Sequence, residues 1–332
     1  MCWLAERVQI RHVTIDPPLI LAPMEGVTDV VFRRLIRTVG GCGLTVTEFV
    51  PGAQLANGHA RALRTIAVDP DERPVSIQLY GRDPDLMAEG ARVAEAAGAT
   101  IVDLNMGCPS KKVCAHSGGS ALLKEPELAR RIVRAVRGAT TLPFTVKMRS
   151  GWDPEHRNAP DVAAMCEDEG VEMVAVHWRT KSDLFGGVRQ LRTIAEVKRR
   201  LHIPVVANGD IVDEATALHT LAETGADGLM IGRGAVRDPW VFRRIERALA
   251  GRPAPAVDLA ERERLLLAFY ATIRETFESE KGALGRMKKI ARYFGDGVDG
   301  GDELRQAVFH TRSTDEVFGV VRSFFAARRA AA

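Results

Sequence analysis

Long apolar runs are missing from this chain. No stretch approaches the roughly 20 residues a membrane helix requires. Residues 1–18, with Glu6, Arg7, Arg11, His12 and Asp16, have no apolar core of signal-peptide length. Cysteine is scarce and poorly placed for cross-linking. The five cysteines, at 2, 42, 108, 114 and 166, are odd in number and lack the paired spacing of a disulfide framework or a zinc site. A soluble protein of the reducing cytoplasm is expected. Charge of one sign is lacking too. A net charge of +3 is too slight to argue for nucleic acid unless the charges are concentrated somewhere. Hydrophobic residues make up 46% and charged residues 27%, which excludes a disordered chain. The 332 residues suffice for one large α/β barrel with an appendage, or for two ordinary domains.

What is present is a repeating alternation of short apolar runs and helical segments. Strands are expected at 19–24, 44–49, 75–80, 101–106, 144–149, 173–179, 204–210 and 228–233. Thr28-Asp29 can cap a helix that stops at Gly40-Gly41, Asp83-Pro84 opens one that stops at Gly98, and Pro126 opens one that stops at Gly138. Nearly all-apolar strands joined by helices imply a parallel sheet buried on both faces. Eight such units within about 230 residues fit a (β/α)8 TIM barrel better than a doubly wound sheet.

Several strands end in polar residues: Pro23-Met24-Glu25-Gly26, Glu48, Gln78, Asn105, Lys147-Met148-Arg149, His177-Trp178-Arg179, Asn208-Gly209-Asp210 and Gly232-Arg233-Gly234. A barrel collects them on one face, where the active sites of this architecture lie. The stretch Asp103-Leu104-Asn105-Met106-Gly107-Cys108-Pro109 stands out, because Pro109 stops the strand and leaves a carboxamide and a thiol at its end. A reactive thiol and a small buried hydrophobe both satisfy that pattern. Glycines after the seventh and eighth strands sit where barrels build phosphate sites from backbone N–H groups, and Arg233 can add a bidentate contact.

A glycine/proline linker, Ala250-Gly251-Arg252-Pro253-Ala254-Pro255, separates an expected barrel (1–250) from an expected helical domain (251–332). Helices are expected over 259–280 and 284–294, and again from Glu303 and Thr314. Lys281, Arg286, Lys288, Lys289 and Arg292 occur with no acidic residue among them. That run suits phosphate backbones, and it equally suits a solvated helix face.

Taken together, Leu21-Ala22-Pro23-Met24-Glu25-Gly26-Val27-Thr28-Asp29, Asn105-Met106-Gly107-Cys108-Pro109, Val146-Lys147-Met148-Arg149, His177-Trp178-Arg179-Thr180, Ala207-Asn208-Gly209-Asp210 and Ile231-Gly232-Arg233-Gly234 resemble the tRNA-dihydrouridine synthases, most of all their bacterial B-type branch. The resemblance spans nearly the whole chain. It implies an FMN-dependent barrel with a helical tRNA-binding domain, reducing uridine in tRNA to dihydrouridine with NADPH as reductant. Pro23 and Met24 would meet the flavin ring, Gln78 its pyrimidine edge and Lys147 its N1–C2=O region. His177 would also touch the cofactor, while Asn208, Gly209, Asp210, Gly232 and Arg233 would hold its phosphate. Asn105 would pair with the uracil, Cys108 would donate the proton, and Arg179, Lys288 and Lys289 would contact the RNA. No metal and no obligate protein partner are implied. The chain departs from the family pattern at Trp178, expected beside the flavin, at Cys114, Ala115 and Ser117 in the glycine-rich loop, and at Lys289 and Arg292. The main rival is an FMN barrel reducing a small free substrate; an idle RNA-binding relative is the other.

Overall fold

The structure, a computed structural model, describes residues 7–115, 118–294 and 299–331. Cys2, Glu6 and Ser117, with the side chain of Arg292, lie outside the described residues. Eight parallel strands pair in chain order around a barrel: Leu19–Leu21, Thr45–Val46, Val75–Tyr80, Ile101–Met106, Phe144–Arg149, Met173–His177, Val205–Asn208 and Gly228–Ile231. The ring closes where Leu21 N donates to Leu44 O at 2.9 Å beside the Ile20–Leu44 bridge. Helices cover the outside, as the apolar strands required, so the expected (β/α)8 barrel is the fold observed. The third, fourth and fifth strands match their expected bounds. The others stop earlier, because the chain turns where its polar residues begin. Pro23 has no N–H to continue the first ladder, and Gly209 and Asp210 adopt φ of +115° and +53° just past the seventh.

Alternation along each strand decides what faces inward. Register pairs Gln78 with Asp103, Asp103 with Thr145, and Asn105 with Lys147. The bottom of the barrel is apolar. Ile20, Ile101, Met173 and Val206 pack there with Val8, Ile10, Val13 and Ile15. Those last four come from an antiparallel hairpin, Val8–Ile10 with Val13–Ile15, that precedes the first strand. Above this plug lies a polar layer, so chemistry is confined to the upper end.

Helix starts follow the expected punctuation. Asp29 caps Val30–Val39 through Phe32 N at 2.9 Å, and Asp83 caps Pro84–Ala96. Beyond Val241–Leu249 come four more helices, Leu259–Thr276, Glu280–Phe294, Gly301–His310 and Thr314–Ala331. The expected 259–280 helix ends at Thr276, because Ser279 begins the next one and its hydroxyl accepts from Gly282 N. These helices share a core with the barrel: Phe269 meets Phe32 edge-on at 6.3 Å, and Tyr270, Ile273, Met287 and Ile290 continue the same cluster. No described helix is long and apolar enough to cross a membrane.

Candidate active site

The fourth strand ends in a turn organised by one carboxamide. Asn105 Oδ1 accepts from Gly107 N at 3.0 Å and from Cys108 N at 2.8 Å. Arg149 Nε donates to Gly107 O at 3.0 Å, and Cys108 O accepts from Ser120 N at 3.1 Å and from Cys114 Sγ at 3.4 Å. The turn therefore has little freedom, and the Cys108 thiol faces a cavity of about 720 Å³ at the upper end of the barrel. Cofactor sites typically span roughly 300–1,000 Å³. Burial pushes the thiol above its ordinary range, and Cys114 and Glu25 push the same way against the Ser110 N–H and Arg149. It is a protonated thiol at neutral pH, able to give up a proton.

Lys147 and Arg149, two residues apart on one strand, both face this cavity. Burial lowers the Lys147 ammonium to about 8, with Arg149 adding to the effect and Asp103 opposing it. Among the described residues that ammonium has no hydrogen-bond or ion-pair partner. A half-buried cation left in that state at a cavity wall is poised for an anion. His177 is held neutral, well below its ordinary range, by burial and then by Lys147, Arg149, Arg179 and Arg233. Its Nε2 lies 3.4 Å from Arg179 Nη1.

Opposite, one carboxylate joins two arginines. Arg179 grips Asp210 with two bonds of 3.0 and 2.8 Å, and Arg233 Nη2 donates to Asp210 Oδ1 at 2.8 Å. The three groups keep one net positive charge beside Asn208, Gly209 and Gly232, all in the cavity lining. A side chain at Gly209 would meet His177 Cδ2 at 2.5 Å and one at Gly234 would meet Ile211 O at 2.4 Å, so backbone alone fits there. Trp178, contrary to expectation, does not itself line the cavity but packs behind Gly209, where an added Cβ would meet its Cδ1 at 2.5 Å. Its backbone follows the sixth strand with the opposite parity to His177. The indole is therefore 1% exposed behind the lining, with the Arg179 guanidinium 4.1 Å from its ring.

Profile comparison matches residues 20–329 to the dihydrouridine synthase (Dus) family. The chain belongs to that family. The tRNA-dihydrouridine synthase B of Pseudomonas syringae pv. tomato is 43% identical over 321 residues, covering 96% of this chain and 94% of that one. That of Escherichia coli (strain K12) is 39% identical over 310 residues, covering 92% and 95%. Among solved structures, a 2-naphthoyl-CoA reductase complexed with 2-naphthoyl-CoA superposes with a TM-score of 0.58 at 13% identity. It covers 75% of this chain and 52% of that one, so the chain spans about half the reductase's length, and the likeness shows the barrel fold alone.

Within this dihydrouridine synthase fold, twelve of the residues singled out from sequence line the one cavity: Pro23, Met24, Asn105, Cys108, Lys147, His177, Arg179, Asn208, Gly209, Asp210, Gly232 and Arg233. Three lie elsewhere. Gln78 is fully buried below the floor, donating to Asp103 Oδ2 at 2.6 Å and accepting from Asn105 Nδ2 at 2.7 Å. It supports the lining from beneath, because its register places it one layer down. Lys288 and Lys289 lie away from the cavity and reach different parts of the chain. Neighbours in a helix point apart, and Lys288 Nζ donates to Thr311 O at 2.6 Å while Lys289 Nζ donates to Gly26 O at 2.6 Å. Other lining residues carried no role from sequence, Arg149, Leu184 and Phe185 among them. Arg149 was legible, since Lys147 fixes its parity. Leu184 and Phe185 were not, for they sit on an irregular loop, and Phe185 is 66% exposed beside Arg233.

Proposed function

We propose that the chain is an FMN-dependent tRNA-dihydrouridine synthase of the cytoplasm, re-reduced by NADPH, with a catalytic barrel over 1–250 and a helical tRNA-binding part over 251–332. The observation that carries the reading is the pairing, across one cavity, of a protonated Cys108 thiol with the partnerless Lys147 ammonium. The residues present fit a flavin mononucleotide. The cavity has the volume, Lys147 offers a cation to an electron-rich ring, and the rim offers glycine backbone with a net-positive Arg179–Asp210–Arg233 group for a phosphate.

When bound, FMN supplies a hydride to C6 of the uracil ring. The protein residues do the rest. Met24 and Pro23 wall the ring, and neutral His177 accepts or donates one hydrogen bond without adding charge. Asn208, Gly209, Gly232 and Arg233 hold the phosphate end. Asn105, with its oxygen committed to the turn, presents its remaining amide N–H to the uracil, and Gln78 keeps it in that orientation. Cys108 gives its proton to C5, the thiolate forming as the C5–H bond forms. Extruding the target uridine costs a few kcal/mol, which contacts elsewhere on the tRNA must offset. The relatives' names support tRNA as the substrate. Titration of apoprotein with FMN, followed by flavin fluorescence, tests the reading. Saturable binding that weakens in Lys147→Ala is expected, and a wild-type protein that takes up no FMN would overturn it.

A further inference from the structure

The loop after the first strand is held from two sides. On the barrel side, Gly26 N donates to Glu48 Oε2 at 2.8 Å. On the other, the helix Glu280–Phe294 supplies two cations. Arg286 donates through Nη1 to Gly26 O and through Nη2 to Val27 O, each at 2.7 Å, and Nη2 lies 2.8 Å from Asp29 Oδ2. Lys289 Nζ donates to Gly26 O at 2.6 Å. Arg286 is only 7% exposed, so its charge is drawn out of water into this joint and its donors matter correspondingly more. Gly26 turns the chain with φ +68°, and a Cβ there would sit 2.7 Å from Lys289 Nζ, so the turn and the lysine fit each other closely.

The same turn carries a wall of the cavity. Val27 N and Thr28 N both donate to Met24 O at 3.0 Å, and Met24 N donates to Thr28 Oγ1 at 3.0 Å. Met24 in turn lines the cavity with its sulfur near Gly232. A displacement at Gly26–Val27 therefore reaches Met24 through three short hydrogen bonds.

We propose that Arg286 and Lys289 are positioning residues that fix the Met24–Val27 turn, making the helical part a component of the cofactor pocket. The inference rests on the flavin reading for its consequence, though the hold on the turn itself can be observed without a cofactor. Full-length protein labelled with ¹³C-methyl methionine reports on it, the Met24 signal being assigned by its loss in Met24→Leu. Lys289→Met, at an exposed position, should move the Met24 signal. It should also raise the Kd for FMN about tenfold, the equivalent of one lost charge-assisted hydrogen bond, and leave the salt dependence of tRNA affinity unchanged. Lys289→Arg, which keeps a donor, should restore both. Arg286→Lys, a point charge in place of a fork, should also move the Met24 signal. A Met24 signal unmoved in both Lys289→Met and Arg286→Lys overturns the proposal. So does a Lys289→Met protein that loses tRNA affinity and salt slope while its Met24 signal stays in place. If wild-type protein takes up no FMN, the flavin reading falls alone, and the Met24 signal still decides whether the two cations hold the turn.

Discussion

The barrel mouth and the helical part are both rich in cations, and beyond those such as Arg149 that bind backbone carbonyls in either region, they use them differently. At the mouth, Lys147 is half-buried without a partner, and Arg179 and Arg233 share a single carboxylate. In the helices, Arg286, Lys288 and Lys289 each end on a backbone carbonyl of the protein itself. A partnerless charge facing a cavity offers itself to something that arrives, whereas a cation already bonded to the chain holds the chain together. A basic residue thus indicates a ligand through what surrounds it. A count of lysines along a helix does not show that.

The contrast can be broken experimentally, and the largest effect belongs to the mouth. Cys108→Ala should lower tRNA reduction by about 10²–10⁴-fold, the usual contribution of a positioned general acid, with FMN retention and NADPH oxidation intact. Cys114→Ala, measured in the same assay, should be mild, because that thiol donates to the Cys108 carbonyl. Next comes the joint between the two regions. Arg286→Met would leave Val27 O without its donor, Asp29 without its cation and Gly26 O with Lys289 alone, and urea titration should show a loss of about 3 kcal/mol, the lower end for breaking a buried ion pair.

The third effect depends on pH. The Lys147 ammonium titrates at about 8 when folded, mainly through burial, and near its ordinary, higher value when unfolded. Between those two the unfolded chain holds a proton that the folded apoprotein has released, so stability rises with pH across the window. The unfolding free energy of wild type minus that of Lys147→Met should climb from pH 8 to pH 10, by at most about 1.4 kcal/mol per pH unit. A flat difference would place the ammonium in water. The smallest effect is expected for Lys288→Ala. With its ammonium on Thr311 O and close to the Phe309 ring, filter-binding affinity for tRNA should change by less than about twofold, and the salt slope by well under one contact.

The same contrast explains what was legible in the sequence. Buried parallel strands announce themselves as apolar runs, so Ile101–Met106 and Phe144–Arg149 have the bounds their patterns imply. Lys147 and Asn105, sitting inside such runs, could only face a cavity. Period-two alternation then separates His177 from Trp178, and following it takes the indole off the lining. Layers are harder to read. Gln78 lies on the correct face but one level below the lining, and that level depends on the stagger between strands. The helical part gave its punctuation, yet nothing in the run from Lys281 to Lys289 names Gly26, some 260 residues earlier, as the acceptor. Contacts of that kind depend on how helices dock, and no local pattern encodes them.

The most direct measurement is mass-spectrometric mapping of dihydrouridine in tRNA from cells that lack this protein. A flavin-dependent uridine reductase at the barrel mouth predicts that dihydrouridine disappears from one or more defined positions. It should return with the wild-type gene and stay absent with Cys108→Ala. Unchanged dihydrouridine at every tRNA position would contradict the assignment and favour a small free substrate for the same cavity.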